Sequence, residues 1–209
     1  MVFCLLKGAR IIIALLSKNI SNFFVINNII PREDIEVYEY SLGLLFSTIL
    51  NTGAVLAISI ATGTFFETVL FLIGFITLRT ATGGFHAKNH FRCFVIFIAT
   101  YLTFLAALFF TPAIWQLPLI YIFAAISSAS IVLFAPIENK NKPLSEKEFV
   151  LFRRKSRINL AILLSIVIVL CLVLPEKEPA FAMMLGIFAV SCSILVSTIN
   201  SIFNSGIGK

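Results

Sequence analysis

The chain is short of most things a soluble domain depends on. Only 12% of its 209 residues are charged, it has one tryptophan and two histidines, and its four cysteines, Cys4, Cys93, Cys171 and Cys192, form no CxxC pair. Each scarcity excludes something. With 59% hydrophobic residues and a mean hydropathy of +1.03, a chain of this size cannot hide its apolar surface from water. Lipid is therefore the solvent for most of it. The cysteine spacing excludes a disulfide framework, and Cys171 and Cys192, set inside apolar runs, read as small hydrophobes. The single tryptophan leaves interfacial aromatic belts weakly marked despite 22 phenylalanines. No internal repeat, low-complexity tract or soluble domain is present. The net charge of +6 is a bias of loops that sets topology, and no nucleic-acid partner is expected.

What is present is a series of apolar runs. A span needs ~20 residues to cross ~30 Å of hydrocarbon. Six runs are read as spans: Ser41–Gly63, Thr64–Leu78, Phe94–Thr111, Leu117–Ala135, Ile158–Leu174 and Ala180–Ile199. The second has 15 residues and contains Glu67, so it must extend through Arg79–Gly84, tilt, or sit in a thinned region. Charge tests the count independently. With six spans and a cytosolic N-terminus, 15 of the 16 lysines and arginines lie inside and only Lys177 outside, as the positive-inside rule requires. The expectation is a multi-pass cell-membrane protein with both termini and the segment between His86 and Cys93 on the cytosolic side.

Residues 1–30 do not read as a signal peptide, because the apolar core Ile11–Leu16 is short and no small-residue cleavage site follows. Lys7, Arg10, Ser17, Lys18, Ser21, Asn22 and Asn28 fall roughly along one helical stripe. That suits an amphipathic helix lying in the inner interface, its cations near anionic inner-leaflet lipids. The alternative, a seventh span, would place cations and four asparagines at mid-bilayer depth. Pro31 ends this helix. The expected fold is thus an all-α integral membrane protein: an interfacial helix over residues 1–30, then one six-helix transmembrane domain over residues 31–209. Ser127-Ser128-Ala129-Ser130 permits close helix approach, and small-residue faces of this kind are compatible with a homodimer.

Chemistry concentrates between Arg79 and Cys93, a short basic interruption that holds both histidines and one cysteine. A cysteine attacks as its thiolate, which an imidazole and nearby cations favour. His86 is a candidate base, and Lys88 and Arg92 make the local field positive. Seven residues on an unbroken helix return to one face but ~10.5 Å further along the axis. A dyad of His86 and Cys93 therefore needs a turn, for which Gly83-Gly84 frees the backbone. A helix unbroken from Phe85 through Cys93 would defeat it. His90 competes, because it lies three residues before Cys93 and within reach on one helical turn. A zinc set of His86, His90 and Cys93 is a further alternative, although no second ligand cluster accompanies it. An inert solvated loop is the plainest reading. No metal or other cofactor is expected.

The string Arg79…Gly84-Phe85-His86-Ala87…Cys93, in a basic six-span chain of this length, resembles the AgrB family of accessory gene regulator peptidases. The later stretch Ala135-Pro136…Asn139-Lys140-Asn141-Lys142-Pro143-Leu144 resembles that family's cytosolic loop. The resemblance implies that Cys93 is the nucleophile and His86 its base, ahead of His90, with Arg79 and Gly84 in the site framework. It further implies a cysteine endopeptidase acting on an AgrD-type propeptide, the precursor of a cyclic quorum-sensing signal. Cys93 would attack a peptide carbonyl, and the acyl-enzyme thioester would be released by an internal nucleophile of the precursor, closing a thiolactone or lactone ring.

Two readings of the cytosolic cations stay open. Lys88, Arg92, Arg153, Arg154 and Lys155 either attract the acidic tail of such a peptide or serve topology alone. Two other function classes compete: a small exporter of the peptide without peptidase activity, and a scaffold that binds a partner through basic loops. Against the exporter, the spans hold few ionisable residues and no paired Gly/Pro-broken helices.

Overall fold

A computed structural model describes residues 15–82, 90–137 and 145–206. Every regular element among them is helical. They are α1 (residues 15–26), a 3-10 turn at Arg32–Asp34, α2 (Ile35–Thr62), α3 (Phe65–Thr82), α4 (His90–Phe110), α5 (Ala113–Phe134), α6 (Glu146–Val173) and α7 (Glu178–Gly206). Five helices among the described residues are long and apolar enough to cross a membrane: Arg32–Thr62, Phe65–Thr82, Ala113–Phe134, Glu146–Val173 and Glu178–Ile199. The apolar stretch Phe94–Phe110 of α4 is shorter. Each expected span thus falls on a helix, with five of full length where six were expected. Many large apolar side chains face outward, among them Ile114, Leu133 and Leu172, which fits a multi-pass membrane protein. The run expected to stop at Leu78 continues to Thr82, giving 18 residues. Nothing in Arg79–Thr82 breaks a helix before Gly83, and a cation in the last turn suits the negative end of the dipole.

The chain clusters into two compact units, Met1–Ile58 with Ala87–Ala99, and Ser59–His86 with Thr100–Lys209. In the first unit, α1 ends in a turn where Asn28 takes a left-handed φ of 53° and the Ile29 N–H donates to Phe24 O at 2.9 Å. Asparagine tolerates that backbone better than most residues. Pro31 and the 3-10 turn follow, and Glu33, Asp34 and Glu36 place negative charge at the start of α2, where its dipole favours it. Phe24 meets Tyr38 of α2 edge-on, ring centroids 6.4 Å apart. The polar stripe expected along α1 is divided. Ser17 and Ser21 are buried, Lys18 is exposed, and Leu15, Leu16, Phe23 and Ile26 face outward. Ser21 Oγ and Asn51 Oδ1 are buried with no hydrogen-bond partner among the described residues.

The second unit is organised around α7, the most enclosed of the five long helices. It begins where α2 stops. Gly63 adopts φ +72°, its N–H donates to Ile60 O at 3.3 Å, and the Thr64 N–H donates to Ser59 O at 2.9 Å. This is a Schellman termination, and it needs the left-handed residue that glycine supplies without strain. The next helix, α3, lies so close to α7 that a Cβ on Gly74 would come within 2.8 Å of Met183 O. A Cβ on Gly186 would collide with Phe71 O. In lipid, where burial of apolar surface does not drive helices together, such backbone proximity is how they gain dispersion energy. Phe71 meets Phe104 of α4 with ring centroids 4.3 Å apart and planes tilted by 31°, and Thr68 Oγ1 and the Tyr101 hydroxyl share a buried hydrogen bond of 2.9 Å. Across α7, Phe123 of α5 stacks on Phe188 at 4.1 Å, and Ser127 and Ser191 hydroxyls meet at 3.2 Å. At its N-terminus α6 carries a capping box, Ser145 Oγ accepting from the Glu148 N–H and Glu148 accepting from the Ser145 N–H. Its last carbonyls, Cys171 O and Leu174 O, each accept from Lys177 Nζ at 2.8 Å, which ties this lysine to the negative end of the helix.

Candidate active site

The candidate residues sit where α3 ends and α4 begins. The last turns of α3 are fixed from three neighbours. Asn159 Nδ2 of α6 donates to Thr77 O at 3.2 Å, the Ile137 N–H after α5 donates to Thr82 O at 3.0 Å, and Arg79 Nη1 donates to Ser193 Oγ of α7 at 2.6 Å. Within the helix, Thr82 Oγ1 donates back to Leu78 O at 3.0 Å. The half-buried Arg79 is thus anchored on a helix whose end is itself clamped. The chain reaches Ile137 through a cis Ala135–Pro136 bond, in the stretch read from sequence as a cytosolic loop.

Gly84, His86 and Lys88 lie outside the described residues. Arg92 and Cys93 lie on α4, which starts at His90, so Cys93 stands at the end of its first turn; their side chains are outside what is described. By backbone register His90 and Cys93 are three residues apart on one turn. Arg153, Arg154 and Lys155 are exposed in the first half of α6. Cys171 and Cys192 are half-buried free thiols inside helices, and Cys4 lies outside the described residues. No group of three His, Cys, Asp or Glu placed to hold a metal occurs among the described residues. None of the alternative zinc set is covered by that statement, His86 by position and His90 and Cys93 by side chain.

The profile of the family described as Accessory gene regulator B matches residues 17–203, nearly the whole chain. The chain belongs to the AgrB family. Protein FsrB of Enterococcus faecalis (strain ATCC 47077 / OG1RF) is 25% identical over 171 residues, 80% of this chain and 67% of that protein. A Clostridium beijerinckii protein named as AgrB-like is 30% identical over 138 residues, 63% of this chain and 66% of that protein. The matches thus span about two thirds of the length of each relative. No solved structure matches. The AgrB family is linked to quorum-sensing autoinducer peptides and their processing, and acts on an AgrD-type propeptide.

Sequence reasoning missed three groups that hold the last turns of α3 around Arg79: Ser193, Asn159 and the Ile137 N–H. Each is remote in sequence from Arg79, and only the packing of α6 and α7 on α3 brings them there. The one available signal was the run Ser191, Ser193 and Ser197 on α7, polar groups that need partners in an apolar helix.

Proposed function

We propose that this chain is a membrane-embedded cysteine endopeptidase that removes the C-terminal part of an AgrD-type propeptide and supports its cyclisation. The observation that carries the reading is the position of Cys93, in the first turn of an α-helix directly after the segment that holds His86, in a chain of the AgrB family. The N-terminal end of a helix carries partial positive charge, which favours an anion, a thiolate included.

In the proposed reaction His86 takes the thiol proton and the Cys93 sulfur attacks a peptide carbonyl. The C–N bond breaks, the proton passes from His86 to the leaving amine, and the acyl group remains on sulfur as a thioester. The thiol or hydroxyl of a side chain inside the precursor then attacks that thioester, giving a ring and restoring the Cys93 thiol. A covalent intermediate divides one hard step into two, and a site at an apolar membrane edge keeps out the water that would hydrolyse it. Six spans, with the termini and the His86–Cys93 segment cytosolic, complete the proposal, and residues 1–30 face anionic inner-leaflet lipids through their cations.

The test uses the full chain in vesicles with a synthetic AgrD-type propeptide. Cleavage to two fragments is expected; movement of intact peptide across the vesicle without cleavage would replace the peptidase by an exporter. In the same assay, neutralising Arg153, Arg154 and Lys155 to glutamine is expected to raise KM by about threefold to tenfold at low salt, an effect that fades near 0.5 M salt. Unchanged KM with intact insertion would leave these cations a topological role only.

A further inference from the structure

We infer that Arg154 holds the phosphate of an anionic phospholipid, where the lipid-facing side of α6 reaches the membrane surface. Whether or not the chain cleaves a peptide, this lipid site stands on the side of α6 turned away from the bundle.

Helical periodicity divides α6 into two sides. Ser156, Leu160, Leu163 and Val167 are buried against the bundle, and the half-buried Phe149 and Phe152 continue that stripe toward the N-terminus. Opposite them run Leu151, Arg154, Ile158, Ile162, Val169 and Leu172, all exposed. The apolar run from Ile158 to Leu174 rises ~26 Å, most of the ~30 Å of hydrocarbon, so Ile158 lies near its edge. Arg154 follows one turn beyond, ~6 Å along the axis, at the depth of the headgroups.

No described residue pairs with the Arg154 guanidinium. Its helix neighbours three and four residues away are Val150, Leu151, Arg157 and Ile158, none of them acidic. Arg157 differs, because its Nη2 donates to Val132 O at 3.1 Å, a last-turn carbonyl of α5. Arg153 falls about 60° around the helix from Ser156, against about 160° for Arg154, and so lies nearer the bundle. Arg154 is thus the cation that continues the lipid-facing side. A ligand reaching it there lays its acyl chains along Ile158 and Ile162. The planar fork matches two oxygens of a phosphate, which makes arginine the better clasp than lysine. One turn further out, Leu151 is 62% exposed. Water gives such a side chain no cover, whereas the boundary between headgroups and acyl chains does. Apolar surface on both sides of the cation favours a lipid over a soluble acidic peptide, for which Arg153 and Lys155 stay open on the flanks.

The experiment titrates phosphatidylglycerol and, separately, phosphatidylcholine into the full chain in a neutral detergent, with bound lipids counted by native mass spectrometry. The wild type is expected to bind phosphatidylglycerol about tenfold more tightly than phosphatidylcholine. Arg154→Gln is expected to cut that preference to within about twofold, through loss of one charge-assisted pair. Arg153→Gln removes the same charge from nearer the bundle and is expected to keep the preference. Without lipid the three proteins are expected to share one thermal midpoint, and phosphatidylglycerol to raise it for all but Arg154→Gln. No preference in the wild type, equal losses in the two variants, or a midpoint already lowered in lipid-free Arg154→Gln would overturn the inference. So would displacement of the lipid by glycerol phosphate at equal concentration, which would make this a site for free phosphate. A preference that survives Arg154→Gln while binding of a synthetic acidic peptide is lost would overturn it too, and assign the arginine to the peptide.

Discussion

Cys93→Ala is expected to lower propeptide cleavage by about 10³-fold or more, to the background, with membrane insertion and thermal midpoint unchanged. The size follows from the role, because a nucleophile that carries the acyl group has no substitute in the chain. Cys171 and Cys192 lie within apolar helices and are only half exposed, and their replacement by serine is expected to leave cleavage within about twofold. The histidines divide more sharply. On α4, backbone register sets His90 one turn before Cys93, whereas the family resemblance assigns the base to His86. With the base at His86, His86→Ala is expected to cost about 10²-fold to 10⁴-fold in kcat, the usual worth of general acid–base help, and His90→Ala less than about fivefold. The reverse order would move the base to His90 and remove the need for a turn after Gly83-Gly84.

The second large effect is on the fold and concerns Gly186. Alanine is normally the better helix former, by about 0.5–1 kcal/mol over glycine. At Gly186 that gain is overwhelmed, because the added Cβ meets the backbone of α3: Phe71 O in collision, with Phe71 C and Phe75 N both at 3.1 Å. Backbone cannot rotate aside as a flexible side chain would, so the two helices must separate. Separation also loosens Gly74 against Met183 and the ring stack around Phe71. Gly186→Ala is expected to destabilise the protein by about 2–3 kcal/mol, and Gly186→Leu to prevent recovery of folded protein in detergent. Gly53→Ala is the matched control. A Cβ there meets nothing within 4 Å, so that change is expected to be neutral or to stabilise by up to about 1 kcal/mol. Equal thermal midpoints for the Gly186 and Gly53 variants would contradict the close α3–α7 contact.

Helices are legible in the sequence because a chain in lipid must satisfy its backbone internally, and long apolar runs leave few other ways to do so. Their ends are less so. Hydropathy ends the second span at Leu78 because Arg79 looks like its boundary, whereas a cation in the last turn is compatible with both the helix dipole and snorkelling. The stripe along α1 is legible as a pattern but not in orientation: two of its serines turn inward, since a small hydroxyl packs where lysine cannot. Pairings between helices are not legible at all. Nothing in the local sequence of Gly74 or Ser193 specifies that α7 lies against α3, because contact between distant apolar helices is decided by shape across the whole bundle. Cys93 stands out by chemical type, from its neighbours in sequence. Its place at the first turn of α4 is a feature that only the backbone supplies.

The most direct measurement is mass spectrometry of the full-length protein in vesicles after incubation with a propeptide whose internal ring-closing residue is replaced by alanine. Without that nucleophile the second step cannot proceed. The predicted result is an adduct equal to the N-terminal part of the peptide less water, located on Cys93, removed by hydroxylamine and absent from Cys93→Ala. Release of the C-terminal fragment by the Cys93→Ala protein, or an acyl group found on any other residue, would contradict it.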